Sequence, residues 1–179
     1  VLPGMKSEEE VAALKASKQG WACVGHKLDY AHRAWIQPGH WLTSDMQKAN
    51  EDAAALYESW KKDVQVEEYR LEDAEVVLTA YGISARICKS AVELLRAQGV
   101  KAGLIRPITV HPFPYAAYDH IDYSRVKAVL DVEMSIPAQF VDDVAVAVKD
   151  RCLIETCLCS GGNIMSRDKV LAAVNKIMA

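Results

Sequence analysis

The sequence predicts an α/β fold, and three observations predict it. From residue 64 onward, short runs of nearly continuous apolar residues alternate with longer segments whose apolar positions recur every three or four residues. That is the pattern of parallel strands buried on both faces between covering helices. Gly99, the segment Pro107 to Pro114 and Gly161-Gly162 interrupt the alternation where the chain must reverse. The composition agrees: 51% hydrophobic and 25% charged over 179 residues suits one ordinary domain, or one domain with an extension.

Taken in order, Ser7 to Glu10 has the form of a capping box and opens a short helix to about Lys18. Gly20 to Trp41 holds Trp21, Trp35, Trp41, His26, His32 and His40 with neither helical nor strand periodicity, and reads as an irregular arm that packs on its own domain or a neighbour. Ser44 caps a second helix, on which Ala53, Leu56, Tyr57 and Trp60 form one apolar face up to about Lys62. Val64 to Leu71 is a charged strand, and charge is how a sheet edge is kept from pairing with other molecules. Then come strand Glu75 to Tyr81, helix Ser84 to Gln98 capped by Ser84 and stopped by Gly99, strand Val100 to Ile105, a proline-rich loop, strand Val126 to Val132, helix Ala138 to Lys149, strand Leu153 to Cys159 and helix Ser166 to Met178. The division is an arm and linker helix over 1–63 and an α/β domain over 64–179. The whole is three-layered, α/β/α, around a mostly parallel five-stranded sheet with one edge strand.

Composition excludes several classes of function. Twenty-one Lys and Arg against twenty-four Asp and Glu give a net charge of −3 with the signs interspersed, so there is no electrostatic footprint for nucleic acid. No apolar run reaches the roughly 18 to 20 residues that span a bilayer, so no membrane is expected. Five cysteines without a signal peptide ahead of them point to reduced thiols and a cytoplasmic location. The chain begins Val1-Leu2-Pro3-Gly4, which suits a processed chain or a piece of a longer one.

No self-contained active site emerges. Ala80-Tyr81-Gly82-Ile83-Ser84-Ala85 has one of the glycines a dinucleotide-binding turn needs, and there is no phosphate-binding G-x-x-x-x-G-K-[ST]. Cys152, Cys157 and Cys159 lack the C-x-x-C spacing of zinc and cluster sites, and Cys88 falls on the apolar stripe of its helix, so these read as small buried hydrophobes. The histidines show no H-E-x-x-H spacing, and no nucleophile elbow occurs. The notable segments lie at the carboxyl ends of the strands, where ligands and partners dock in open α/β sheets. They are Arg106 to Pro114, Glu133-Met134-Ser135 and Ser160-Gly161-Gly162.

Glu72 to Val77, Ala80-Tyr81-Gly82, Ala85-Arg86, Ser90-Ala91-Val92, Gly103 to Thr109, Pro112-Phe113-Pro114 and Val132 to Ser135 together resemble the C-terminal domain of the alpha-type subunit of 2-oxoacid:ferredoxin oxidoreductases, in the branched-chain (2-oxoisovalerate) and 2-oxoglutarate branches. The resemblance covers about residues 64 to 179. Two loops depart from it. Met134 to Gln139 is longer than the family's Met-Ser-x-Gly-Gln and lacks its glycine, and Leu158-Cys159-Ser160-Gly161-Gly162 stands where Gly-Arg-x-Gly-Gly is common.

The resemblance implies a transketolase C-terminal-like domain whose antiparallel edge strand lies beside the second parallel strand, in the order edge, second, first, third, fourth. It implies a whole enzyme that decarboxylates a 2-oxoacid on thiamine diphosphate with magnesium, passes electrons through iron-sulfur clusters to ferredoxin and delivers the acyl group to coenzyme A. This chain carries no catalytic, cofactor-binding or metal residue of that machinery. Its part is structural: it joins the thiamine-binding and other subunits, in a homo-oligomer, and walls the active-site cleft.

Tyr81, Gly82, Arg106, Pro107, Glu133, Met134, Gly161 and Gly162 are the interface or cleft candidates. Arg106 and Glu133 anchor the proline-rich loop and the Met134-Ser135 turn, or Arg106 makes a surface ion pair. Gly161-Gly162 serve a tight turn or a contact, with Ser166 and Asp168 completing the helix start. Two other readings remain: a stand-alone doubly wound module holding an anion or nucleotide at helix N-termini, and a structural remnant without a complex.

Overall fold

The computed structural model describes residues 4–18, 39 and 42–179. The arm's tryptophans Trp21, Trp35 and Trp41, its histidines His26, His32 and His40, and Cys23 lie outside the described residues. The chain divides into two compact units, Val1–Ala53 and Ala54–Ala179. In the first, α1 (Glu8–Lys18) opens with the capping box: the Glu10 N–H donates to Ser7 Oγ at 3.2 Å and the Ser7 N–H to Glu10 Oε2 at 2.7 Å. Helix α2 (Thr43–Trp60) begins one residue before Ser44, so that serine lies in the first turn and not ahead of it. No residue of α2 is buried.

The second unit is a five-stranded sheet covered on both sides. After a 3₁₀ turn (Lys61–Asp63) come β1 (Val66–Tyr69), β2 (Val76–Thr79), α3 (Gly82–Ala97), β3 (Ala102–Pro107), a second 3₁₀ segment (Tyr115–His120), β4 (Ala128–Glu133), α4 (Phe140–Val148), β5 (Leu153–Leu158) and α5 (Arg167–Met178). The order across the sheet is β1-β3-β2-β4-β5; β1 pairs antiparallel with β3, and the other pairs are parallel. Edge, second, first, third, fourth is the order the resemblance implies.

Each strand face buries its own layer. Val76, Leu78, Leu104, Leu130 and Val132 pack with Cys88, Val92 and Leu95 of α3 and with Val170 and Val174 of α5. Val77, Ile105 and Val129 pack on the other side with Tyr118 of the 3₁₀ segment and with Phe140, Val144 and Val148 of α4. Burying each such side chain favours folding by about 1.5–3 kcal/mol. Cys88, Cys157 and Cys159 are buried members of the first layer, as small hydrophobes should be, and burial pushes the Cys88 thiol far up.

The expected strand and helix types hold throughout this unit, and no end shifts by more than two residues. Ser84 is not the cap of α3: Tyr81 occupies that position in extended backbone, and Ser84 is buried within the first turn. The helix rises almost directly from the end of β2, so its start is set by where the strand stops. Ser166 does cap α5, its Oγ accepting from the Lys169 N–H at 3.2 Å. Because β1 runs against the other strands, Gln65 just before it lies at the carboxyl ends of its neighbours. There its carbonyl accepts the N–H groups of Ile108 and Thr109 at 3.0 and 3.1 Å.

Candidate functional site

All four parallel strands deliver their carboxyl ends to one edge, and the candidate residues stand along it. The crossovers diverge there, β2 leading outward to β3 while β4 lies on its other side, so the crevice between the ends of β2 and β4 is the switch point of the sheet. Tyr81 and Glu133 converge on that crevice. The Tyr81 ring meets Phe140 edge-on, with centroids 5.1 Å apart. Glu133, at the end of β4, accepts the Phe140 N–H at 3.2 Å, the Gln139 N–H at 2.8 Å and the Ser135 hydroxyl. A buried carboxylate thus ties down the Met134-Ser135 turn and the start of α4. Burial raises its pKa, but the Ser135 hydroxyl, Asp131 and the two N–H groups outweigh burial and hold it below the usual carboxylate value.

Arg106 does not anchor the proline-rich loop. It sits opposite Glu67 in the β1/β3 register, and its Nη1 donates to Glu67 Oε2 at 3.1 Å, while Lys89 binds the other oxygen of the same carboxylate. The loop is held instead by Gln65, whose N–H donates to Thr109 Oγ1 at 2.9 Å. Pro107 closes β3 as the register partner of Val66. Gly82, Gly161 and Gly162 have φ of +56°, +67° and +84°. The two adjacent glycines therefore meet a backbone need of the turn after β5, and a Cβ built on either would meet nothing within 4 Å.

Two features escape the sequence. Asp131 is fully buried beside Thr79 in the β2/β4 register, and Thr79 Oγ1 lies 2.6 Å from the Tyr118 hydroxyl, forming a polar cluster under the switch point. The i, i+2 pair Asp131/Glu133 in an otherwise apolar strand is the one signal that could have exposed it. The second is a concavity of about 660 Å³ lined by Tyr57, Val64, His111, Phe113, Tyr115 and Asp143 among others. The His111 ring meets those of Tyr57 and Trp60 edge-on at 6.1 Å, which gives the end of α2 a partner.

Among the described residues no three of His, Cys, Asp and Glu converge to hold a metal ion. No chemical step is assigned to the described residues. No helix among them is long and apolar enough to cross a membrane.

Residues 74–170 match the family described as pyruvate:ferredoxin oxidoreductase core domain II. The chain is 40% identical over 117 residues to the ketoisovalerate oxidoreductase subunit VorB of Methanothermobacter marburgensis, a match covering 65% of this chain and 32% of that protein. It is 33% identical over 117 residues to the 2-oxoglutarate synthase subunit KorA of the same organism, covering 65% and 30%. The chain thus spans about a third of the length of the curated relatives it matches. Among solved structures, a 2-oxoglutarate:ferredoxin oxidoreductase from Magnetococcus marinus with 2-oxoglutarate, coenzyme A and succinyl-CoA bound superposes with a TM-score of 0.64 at 18% identity, over 78% of this chain and 24% of that one. A split-gene transketolase, described as an inactive β4 tetramer, gives 0.53 at 18% identity over 64% of this chain and 41% of that one. At such identities these two likenesses concern the fold alone.

Proposed function

The chain belongs to the pyruvate:ferredoxin oxidoreductase core domain II family, and from that premise we propose that it is the assembly domain of a thiamine-diphosphate-dependent 2-oxoacid:ferredoxin oxidoreductase. The whole enzyme converts a branched-chain 2-oxoacid or 2-oxoglutarate to its acyl-CoA and reduces ferredoxin, using thiamine diphosphate, magnesium, iron-sulfur clusters and coenzyme A held elsewhere. It works in the cytoplasm as an oligomer. This chain contributes no reacting group; it docks on the thiamine-binding domain and walls the cleft.

The observation that carries this reading is apolar surface concentrated at the carboxyl edge. Ile83, Ile136 and Ile164 are 52%, 62% and 66% exposed there, beside the half-exposed Tyr81 and Met134. Side chains of this kind in one place mark a protein contact. Glu133 fixes the turn that presents Met134 and Ile136, and the open space around Gly161 and Gly162 lets another backbone approach.

The test is co-expression of the chain with the thiamine-binding and iron-sulfur subunits. Co-purification and 2-oxoacid-dependent reduction of ferredoxin are expected. The double variant Ile136→Asp/Ile164→Asp should lose both while melting as the parent does. Failure of the parent chain to associate, or association untouched in the double variant, would overturn the proposal. Titration calorimetry of the chain alone should detect no micromolar binding of thiamine diphosphate.

A further inference from the structure

Asp131 and Glu133 are two residues apart on β4, so both side chains leave the same face of the sheet. It is the face of Val129, which packs among Phe113, Tyr118, Phe140 and Val144. Asp131 is 0% and Glu133 2% exposed. Their surroundings differ sharply. Glu133 accepts two backbone N–H groups and a hydroxyl, whereas neither carboxyl oxygen of Asp131 accepts a hydrogen bond, and the group it lies against is the Glu133 carboxyl.

Two adjacent buried anions would repel each other and forgo hydration, at a cost that only a cation or a proton can remove. The neighbours supply no cation. Tyr118 of the 3₁₀ segment is neutral, its own ionisation pushed up by burial, and its hydroxyl is engaged with Thr79. Asp142 and Asp143 in the first turn of α4 are acidic. The register partners are Thr79 on β2 and Thr156 and Leu158 on β5. Behind the sheet stand the thiols of Cys88 and Cys157, both raised by burial. Among the described residues no ion pair reaches either carboxylate.

We propose that Asp131 and Glu133 hold one proton between them at neutral pH, and that this proton keeps Glu133 in place as the acceptor that closes the 134–140 turn over the carboxyl edge. The proton resides on Asp131, because Glu133 already has the donors that favour an anion. Burial, then the Glu133 carboxyl beside it, pushes Asp131 up to about 8. The folded chain thus keeps a proton that the unfolded or opened chain releases near the ordinary aspartate value. The contribution of the Asp131 proton weakens as pH rises from about 4 and is gone above about pH 8, whereas that of Glu133, whose value the fold lowers, is present above 4.5 and is lost as pH falls through the lowered value. The turn becomes a pH-sensitive latch on the edge.

Amide hydrogen exchange of the full chain tests this at Gln139 and Phe140. Corrected for intrinsic exchange, protection in the parent should fall by up to about tenfold per pH unit between pH 5 and 8 and then level off, as expected for release of one proton. In Asp131→Asn, which mimics the protonated acid without titrating, protection should be flat. A flat parent profile, or an unchanged fall in Asp131→Asn, would overturn the proposal. If that variant does not fold, carbon-13 carboxyl titration of the parent decides. Two widely separated apparent values, one above about 6.5, support the shared proton, and two ordinary titrations below about 5 refute it.

Discussion

Gly103→Ala should lower the stability of the chain by about 2–3 kcal/mol, although it adds one methyl group. The new Cβ would lie 2.8 Å from the Arg70 carbonyl oxygen, 2.9 Å from Leu71 Cδ2 and 3.2 Å from Ala74 Cβ. The first distance is roughly 0.6 Å inside ordinary van der Waals contact, and its partner is backbone, which cannot rotate away. That carbonyl is also committed. It accepts Arg96 Nη2 at 2.8 Å, the same guanidinium binds Asp73 at 2.7 Å and the Ala102 carbonyl at 2.7 Å, and Arg70 already sits at φ +53°. Overpacking costs about 1–3 kcal/mol and disturbing a hydrogen bond to a charged donor about 1.5–3, while relieving the unfolded chain of a glycine returns about 0.5–1. For a chain of this length the net loss corresponds to a fall in Tm of about 5–10 °C, measurable by calorimetry or by circular dichroism. Trimming Leu71 to Ala in the same chain should not restore it, because the carbonyl remains. A variant melting within about 2 °C of the parent would show that the 70–74 turn yields freely, and would refute the reasoning.

Tyr118→Phe leaves the buried Thr79 hydroxyl without its partner and should cost about 1–2 kcal/mol in urea unfolding; an unchanged midpoint would contradict a role for that bond. Glu67 is lowered first by its hydrogen bond to Lys89, against burial, and further by Arg106, so its contribution is present above the ordinary value of 4.5 and is lost as pH falls through the depressed one. Stability should therefore decline below about pH 4.5 in the parent and less steeply in Glu67→Gln, and identical slopes would exclude the pair as a cause.

The sheet was legible because burial on both faces leaves runs such as Val76 to Leu78 and Val129 to Val132 almost without polar residues. The capping box at Ser7 and the cap at Ser166 were legible because each is a bond between residues three apart. The start of α3 was not, since it follows from where β2 ends and not from the preference of Ser84 for capping. Non-local pairing was hidden for a similar reason. Arg106 could be placed at the carboxyl end of a strand, but its partner Glu67 lies 39 residues earlier, and only the antiparallel register joins them. Asp131 was passed over inside an apolar run because a sequence shows that a carboxylate is present and not that it lacks a donor.

The reversed direction of β1 has a consequence for tethering. The chain enters this domain through Gln65 at the carboxyl edge, the edge that carries Tyr81, Glu133 and Gly161, whereas α5 ends at the opposite side, its Met178 carbonyl accepting Lys127 Nζ just ahead of β4. A partner tethered by a short linker directly at Gln65 would meet the face proposed for docking at an effective concentration in the millimolar range, so even a weak contact would be occupied. A fusion partner placed before β1 would compete for that face, and one placed after Ala179 would leave it open.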